Sequence, residues 1–235
     1  MNYLLNEEKE IIVECDNIDE FIKLYYDDEF EFLEIKFNDE NKYQELFDFI
    51  KDKPEYELLF SEFYAYGKIV EENNIKFFEI ISSLVEKKNK RAMFYMGIAL
   101  MNGDGIDLDV KKGLKLLEKV ADMGYSLADY QLCIYYANHY AISKVQKYKN
   151  KIKLNGSKKA KYMLAMSYFN VMNYADSFAF MLQAAKAGYK PSYQRLAMMY
   201  KNGLGTKKSQ KDFELWEAKA KDSLCYFDNI ETSED

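Results

Sequence analysis

A pattern of side-chain sizes recurs along this chain at nearly constant intervals. Its clearest copy has small Ala92, large Met96 beside small Gly97, and then Leu100. Spacings of four, one and three residues place these side chains on one face of a helix, and a small residue beside a large one favours a close helix crossing. The other copies are Tyr56-Phe60-Ser61-Tyr64, Ala128-Leu132-Cys133-Tyr136, Ala160-Leu164-Ala165-Tyr168 and Ser192-Leu196-Ala197-Tyr200.

The copies begin 36, 36, 32 and 32 residues apart, which is typical of repeats made of two helices. In the copy at Ala92, residues Leu116, Val120 and Ala121 predict a second helix, and Gly124 ends it in the left-handed conformation that other residues avoid. One such hairpin cannot bury its own apolar faces and needs neighbouring hairpins. The sequence therefore predicts a mainly α fold, an α-solenoid of about five helical hairpins.

Glycine and alanine motifs in these hairpins resemble Sel1-like repeats, which are relatives of tetratricopeptide repeats. The motifs are Gly103-Asp104-Gly105 with Val120-Ala121-Asp122-Met123-Gly124, then Ala184-Ala185-Lys186-Ala187-Gly188, then Asn202-Gly203-Leu204-Gly205 with Trp216 and Ala218. The resemblance covers about residues 56–222 and implies a superhelical all-α scaffold that holds other proteins together, commonly without catalysis. The copies starting at Ala128 and Ala160 lack the glycine turn and are about four residues shorter, so their hairpins are predicted to be tighter.

The first 53 residues have a different pattern. Residues 10–15 and 29–37 are rich in β-branched or aromatic residues and predict strands. Residues 16–28 predict a helix, and a second helix is predicted to start at a cap from Asn38 or Asp39 and to end near Pro54. The predicted domains are a small N-terminal α/β cap over 1–53, the solenoid over 54–224, and a frayed C-terminal tail over 225–235.

Charge is unevenly distributed along the chain. The net charge is −6, but residues 1–60 hold 19 acids against 6 bases, a balance of −13, and residues 61–235 hold 20 acids against 27 bases, a balance of +7. The acidic cap can therefore steer a partner or dock on the basic part of the chain. No apolar run reaches the length of a membrane span, the N-terminus has no leader pattern, and the three cysteines are isolated, so a cytoplasmic protein with reduced thiols is expected.

Residues for catalysis or metal binding are not singled out by the sequence. His139 is the only histidine, so no two-histidine metal site can form, and no cofactor is predicted. Asp107 and Asp109 have the spacing of the first calcium ligands of an EF-hand, but Lys111 and Lys112 occupy places that need an oxygen ligand and a glycine. Asp109 is instead predicted to cap a helix, as is Ser209 in the last hairpin.

Lysines are dense between residues 144 and 161, without an acid among them. Interleaved tyrosines would suit nucleic-acid binding, but the low isoelectric point and the shortage of arginine favour a solvated face or a dock for the acidic cap. Neither nucleic acid nor a membrane is therefore predicted as a partner.

The remaining face of each first helix is the candidate partner-binding site. Equivalent positions of the four first helices form three rows, the first aromatic, the second aliphatic and the third asparagine. Gln194 is the exception in the aromatic row. An apolar row beside a row of amides suits a groove that grips a peptide, although structural filling explains the apolar rows equally well, and asparagine before glycine is also a helix end signal. The candidates are Phe94, Ile98, Asn102, Tyr130, Ile134, Asn138, Tyr162, Met166, Asn170, Gln194, Met198 and Asn202.

The function predicted from these observations is that of a non-enzymatic scaffold or adaptor, which binds a partner protein or peptide in a concave groove. One alternative is an immunity-type inhibitor that neutralises a basic enzyme through the acidic cap. Another is a hydrolase that depends on carboxylates, because a chain with 39 acidic residues offers many accidental pairs. The oligomeric state and the identity of the partner remain open.

Overall fold

The computed structural model describes residues 2–5, 11–26, 34–37 and 39–223. The chain divides into two compact units. We call Asp39–Asn155 the middle unit, and Met1–Asn38 together with Gly156–Asp235 the terminal unit. The tail predicted to fray, residues 225–235, lies outside the described residues, and the proposed division into cap and solenoid remains a prediction.

The first part of the terminal unit is a small α/β structure. Strand β2 (Ile11–Cys15) pairs antiparallel with β1 (Asn2–Leu5) and parallel with β3 (Glu34–Phe37). The ring of Phe21 stacks on that of Phe37 at 4.6 Å. The strand β1 was not predicted, because four residues without alternation give no periodic signal and are stabilised only by pairing. In chain order, the elements of this α/β part are β1 (Asn2–Leu5), β2 (Ile11–Cys15), α1 (Ile18–Tyr26) and β3 (Glu34–Phe37).

The middle unit consists of helices among its described residues. Asp39 accepts a hydrogen bond from the backbone N–H of Asn41 in the turn before its first helix. That helix packs its Phe47 ring against those of Phe60 and Phe63, at 5.4 and 5.3 Å. The elements are α2 (Lys42–Ile50), a 3-10 turn (Pro54–Tyr56), α3 (Glu57–Tyr66), α4 (Asn74–Glu86), α5 (Lys90–Asn102), α6 (Val110–Asp122), α7 (Ser126–Asn138) and α8 (Ile142–Asn155).

Three antiparallel pairs form in the middle unit, α3 with α4, α5 with α6 and α7 with α8, and α4 also packs on α5 and α6 on α7. The helices of the terminal unit that follow are α9 (Lys158–Asn170), α10 (Tyr174–Lys186), α11 (Pro191–Asn202) and α12 (Gln210–Ser223). Helix α9 pairs with α10 and α11 with α12, and α10 packs on α11. The predicted fold class, mainly α with five solenoid-type hairpins and a small α/β part, is thus confirmed.

Close crossing of the two helices of a hairpin depends on small residues, as predicted. A Cβ atom added to Gly97 would lie 2.7 Å from Cδ2 of Leu117, and one added to Gly113 would lie 2.7 Å from the carbonyl oxygen of Gly97. Neither position has room for a side chain, so α5 and α6 approach through these two glycines.

The turns within hairpins follow the predicted difference in length. Seven residues connect α5 with α6 and α11 with α12, whereas three residues connect α7 with α8 and α9 with α10. The shorter turns place Tyr140 and Met172, rather than glycine, at positive φ angles of 55° and 60°. The caps predicted at Asp109 and Ser209 are also confirmed, because Asp109 accepts from the N–H of Lys112 and Ser209 from that of Asp212. The prediction that Asn38 or Asp39 caps α2 is wrong, because α2 begins after Asn41 and Asp39 accepts from the N–H of Asn41 in the preceding turn.

Candidate partner-binding surface

The candidate residues lie on the first helices of four hairpins, at equivalent positions of α5, α7, α9 and α11. The first of them, Phe94, is only 1% exposed, and its ring packs against that of Tyr125 at 5.3 Å. Its helix neighbour Ile98 is half-buried and Asn102 is exposed. On α5, therefore, only the second and third rows reach the surface.

On α7, Tyr130 and Ile134 are half-buried and Asn138 is exposed. These three residues follow one another at intervals of four, so they share one face of the helix. This face presents an aromatic, an aliphatic and an amide group in succession in the middle unit.

On α9, the ring of Tyr162 packs on the buried ring of Tyr189 at 5.0 Å, and its hydroxyl interacts with the Arg195 side chain. Burial raises the pKa of Tyr162, and the positive charge of Arg195 opposes that rise. Met166 is half-buried and Asn170 is exposed. The tyrosine therefore has a structural contact as well as an accessible edge.

The most open part of the candidate set lies on α11. Met198 is 44% exposed, and Gln194 and Asn202, one turn away on either side, are exposed as well. A methionine of this exposure between two amide side chains offers an apolar contact with hydrogen-bonding groups beside it.

All four asparagines of the third row occupy the last position of their helix. Asn102 donates from its side chain to the Asp104 carboxylate at 2.9 Å, and the residue after it, Gly103, has a φ of 77°. This helix-end position accounts for the repeated asparagine without a ligand, while leaving the side chains exposed. The four residues are Asn102, Asn138, Asn170 and Asn202.

The lysine-rich helix α8 forms ion pairs with acids of its own unit. Lys144 lies 3.6 Å from the carboxylate of Glu118, and Lys151 lies 3.1 Å from Asp129 and 3.3 Å from Asp122. Asp129 is buried, and sequence periodicity gave no indication of this pairing. Docking of the acidic N-terminal residues on this helix remains a prediction.

The thiols described by the structure are buried. Cys15 donates to the carbonyl oxygen of Lys36 at 3.2 Å, and Cys133 to that of Val145 at 3.8 Å. Burial raises the pKa of Cys133 to about 11, although Lys149 opposes the shift. Since the thiolate is the reactive form, this cysteine is suited to packing rather than to nucleophilic chemistry.

We expect Cys133 to resist alkylation in the folded protein at pH 8 and to become reactive as the pH rises toward 11. At pH 8, a pKa of about 11 leaves on the order of 0.1% of the thiol ionised, and burial blocks access as well. Iodoacetamide labelling followed by peptide mass spectrometry, with and without urea, measures this. Rapid labelling of Cys133 in the native protein at pH 8 would contradict the expectation.

Two further findings concern metal binding and membrane-spanning helices. Among the described residues, no cluster of three or more histidine, cysteine, aspartate or glutamate side chains is placed to hold a metal ion. Within the same part of the chain, none of the helices combines the length and apolarity needed to cross a membrane.

The chain is similar to proteins that are described as Sel1 repeat proteins. No protein-family model matches the chain. A Sel1-like repeat-containing protein of Acanthamoeba polyphaga mimivirus is 28% identical over 142 residues, which cover 58% of this chain but only 27% of the relative. The crystal structure of a Sel1 repeat protein from Oxalobacter formigenes aligns with a TM-score of 0.55 at 18% identity and covers 78% of both chains. A protective antigen of uropathogenic Escherichia coli strains with an SLR fold aligns over 87% of this chain and 45% of its own at 22% identity, with a TM-score of 0.49.

Proposed function

We propose that this chain, whose helical hairpins are Sel1-like repeats, is a non-enzymatic adaptor that binds a protein or peptide partner on the first helices of its hairpins. Repeat folds of this kind commonly serve as scaffolds for protein interactions. Their stacked hairpins provide extended concave surfaces for binding.

The observation that carries this proposal is the face of α11. Met198 exposes 44% of its surface between exposed Gln194 and Asn202, in a helix whose opposite face is buried through Leu196 and Ala197. An apolar side chain between amides can pack on an apolar residue of a peptide, while the amides pair with its backbone. The equivalent residues Tyr130, Ile134 and Asn138 on α7 and Tyr162, Met166 and Asn170 on α9 are proposed to extend the contact within their own units.

A matched pair of variants tests whether the exposed face of α11 binds the partner. We expect Met198→Glu to weaken capture from an extract of the source cells by at least about 30-fold, because loss of an apolar anchor costs about 2 kcal/mol and a buried charge adds a penalty. Leu215→Glu is the control, because Leu215 is similarly exposed at 49% but lies on the second helix α12. Captured proteins are identified and quantified by mass spectrometry, and circular dichroism verifies folding.

Equal capture by the wild type and both variants would overturn this assignment. Binding would then lie elsewhere, for example on the acidic residues 1–60. Loss of capture in the Leu215→Glu variant alone would place the partner on the second helices instead.

A further inference from the structure

A groove that the proposed function does not use lies between α4 and α6, with α5 beneath it. Its volume is about 460 Å³, and its base is formed by Met96 and Leu100, which belong to the buried core of this region. Half-buried Val85, Ile106 and Leu116 pack against that core and line the groove. The base is therefore apolar and part of the packed core.

One rim of this groove is positively charged. Lys112, Lys115 and Lys119 line it from α6, at intervals of three and four residues that place them along one side of the helix. All three are exposed, and none forms an ion pair with any residue that the structure describes. The opposite wall contributes Ser82 and one acid, Glu86. The charged groups that line the groove thus sum to a positive balance in a protein whose net charge is −6.

This row of lysines is not required by the repeat. The helices α4, α6 and α10 are each 13 residues long, and their sequences align in register through buried residues such as Leu117 of α6 and Met181 of α10. The positions equivalent to the three lysines are Lys76, Glu79 and Ser83 in α4, and Asp176, Ala179 and Gln183 in α10. The lysines of α8 differ as well, because Lys144 and Lys151 are paired with acids of the same unit.

We propose that this lysine-rimmed groove binds an acidic amphipathic helix of a partner protein. The apolar side of such a helix would cover Val85, Ile106 and Leu116, and carboxylates one turn apart would pair with the lysines. Because lysines three and four residues apart follow the helical period, they match acids spaced in the same way on a second helix. The exposed lysines also attract an acidic segment before contact, so association depends on salt.

A labelled synthetic peptide tests the groove directly. The probe is a helix of about 18 residues with leucine on one face and glutamate on the other, and its lysine-and-leucine counterpart is the comparison. Binding to the full chain is measured by fluorescence anisotropy at two salt concentrations. We expect the acidic peptide to bind more tightly than the basic one, and more weakly as salt is added.

Two variants locate the binding. Lys112→Glu/Lys115→Glu/Lys119→Glu is expected to weaken binding of the acidic peptide by at least about tenfold, because attraction becomes repulsion along the whole rim. Ser82→Trp, which fills the groove from an exposed position, is expected to have a similar effect. The control is Lys207→Glu/Lys208→Glu/Lys211→Glu, which makes the same change of charge at exposed lysines of the last hairpin, and thermal unfolding shows that each variant is folded.

Three results would overturn the proposal. If the rim and control variants lost binding of the acidic peptide equally, the attraction would be a general charge effect. Unchanged binding of the peptide to the Ser82→Trp variant would show that it does not occupy the groove. Binding of sodium laurate in place of the acidic peptide would identify an acyl chain as the occupant.

Discussion

Replacing Gly205 by alanine is expected to lower the free energy of unfolding by about 3 kcal/mol or more, because two penalties combine. Gly205 has a φ of 70°, which costs a residue with a Cβ atom roughly 1–2 kcal/mol. Its added Cβ would also overlap the carbonyl oxygen of Tyr174 and lie 2.9 Å from Cβ of Phe178. Since these atoms belong to the first two turns of α10, the hairpin α11–α12 would have to shift.

Gly188→Ala is the matched control for this substitution. Its φ of 83° is equally left-handed, but beyond its own chain neighbours no atom lies within 4 Å of the added Cβ. We expect the free energy of unfolding of the control to fall by only about 1–2 kcal/mol, which is the cost of the left-handed conformation alone. Urea unfolding followed by circular dichroism compares the two, and equal losses would show that α10 does not restrict Gly205.

The second large effect concerns the ion pair between buried Asp129 and half-buried Lys151. Lys151→Met is expected to lower the free energy of unfolding by about 3 kcal/mol at pH 7, because it leaves a buried carboxylate without its positive partner. Asp129 is 5% exposed, and burial raises its pKa while Lys151 at 3.1 Å opposes the rise. Adding Asp129→Asn to the variant should recover much of the loss, because the amide carries no charge.

The direction of the pH dependence follows from the same pair. Without Lys151 the pKa of Asp129 rises further, so the folded state binds its proton more tightly than the unfolded state does. The Lys151→Met variant should therefore regain stability, relative to the wild type, as the pH falls below neutral. Lys144→Met, at the exposed pair with Glu118, is the control and should cost at most about 1 kcal/mol. A Lys151→Met variant as stable as the wild type at pH 7 would show that Asp129 is solvated.

Much of the fold followed from sequence because its repeat has a strong period. Packing positions such as Ala92, Leu132 and Leu164 recur on one helical face, and the structure buries all three. Turn lengths and the capping residues Asp109 and Ser209 were also predicted, because their signals lie within a few residues of the chain. The short strand Asn2–Leu5 was missed, because it depends on pairing with β2.

The exposure of the candidate site could not be predicted in the same way. Phe94 and Tyr130 occupy equivalent positions in the repeat, yet Phe94 is buried, and its ring packs against that of Tyr125, the residue that precedes α7. The contact between Asp129 and Lys151 likewise joins the two helices of a hairpin. Periodicity identifies the face of a helix, but burial depends on which side chains of neighbouring helices lie over that face.

Site-specific photo-crosslinking tests the central claim, that the first helices of the hairpins bind a partner, most directly. A benzophenone amino acid is placed at Met198 on α11 or, as the control, at Leu215 on α12, two apolar positions of similar exposure in the same hairpin. After illumination in the source cells, we expect one defined protein adduct from position 198 and little from position 215. Adducts from position 215 alone, or from neither position while residues 1–60 still bind a partner, would contradict the proposal.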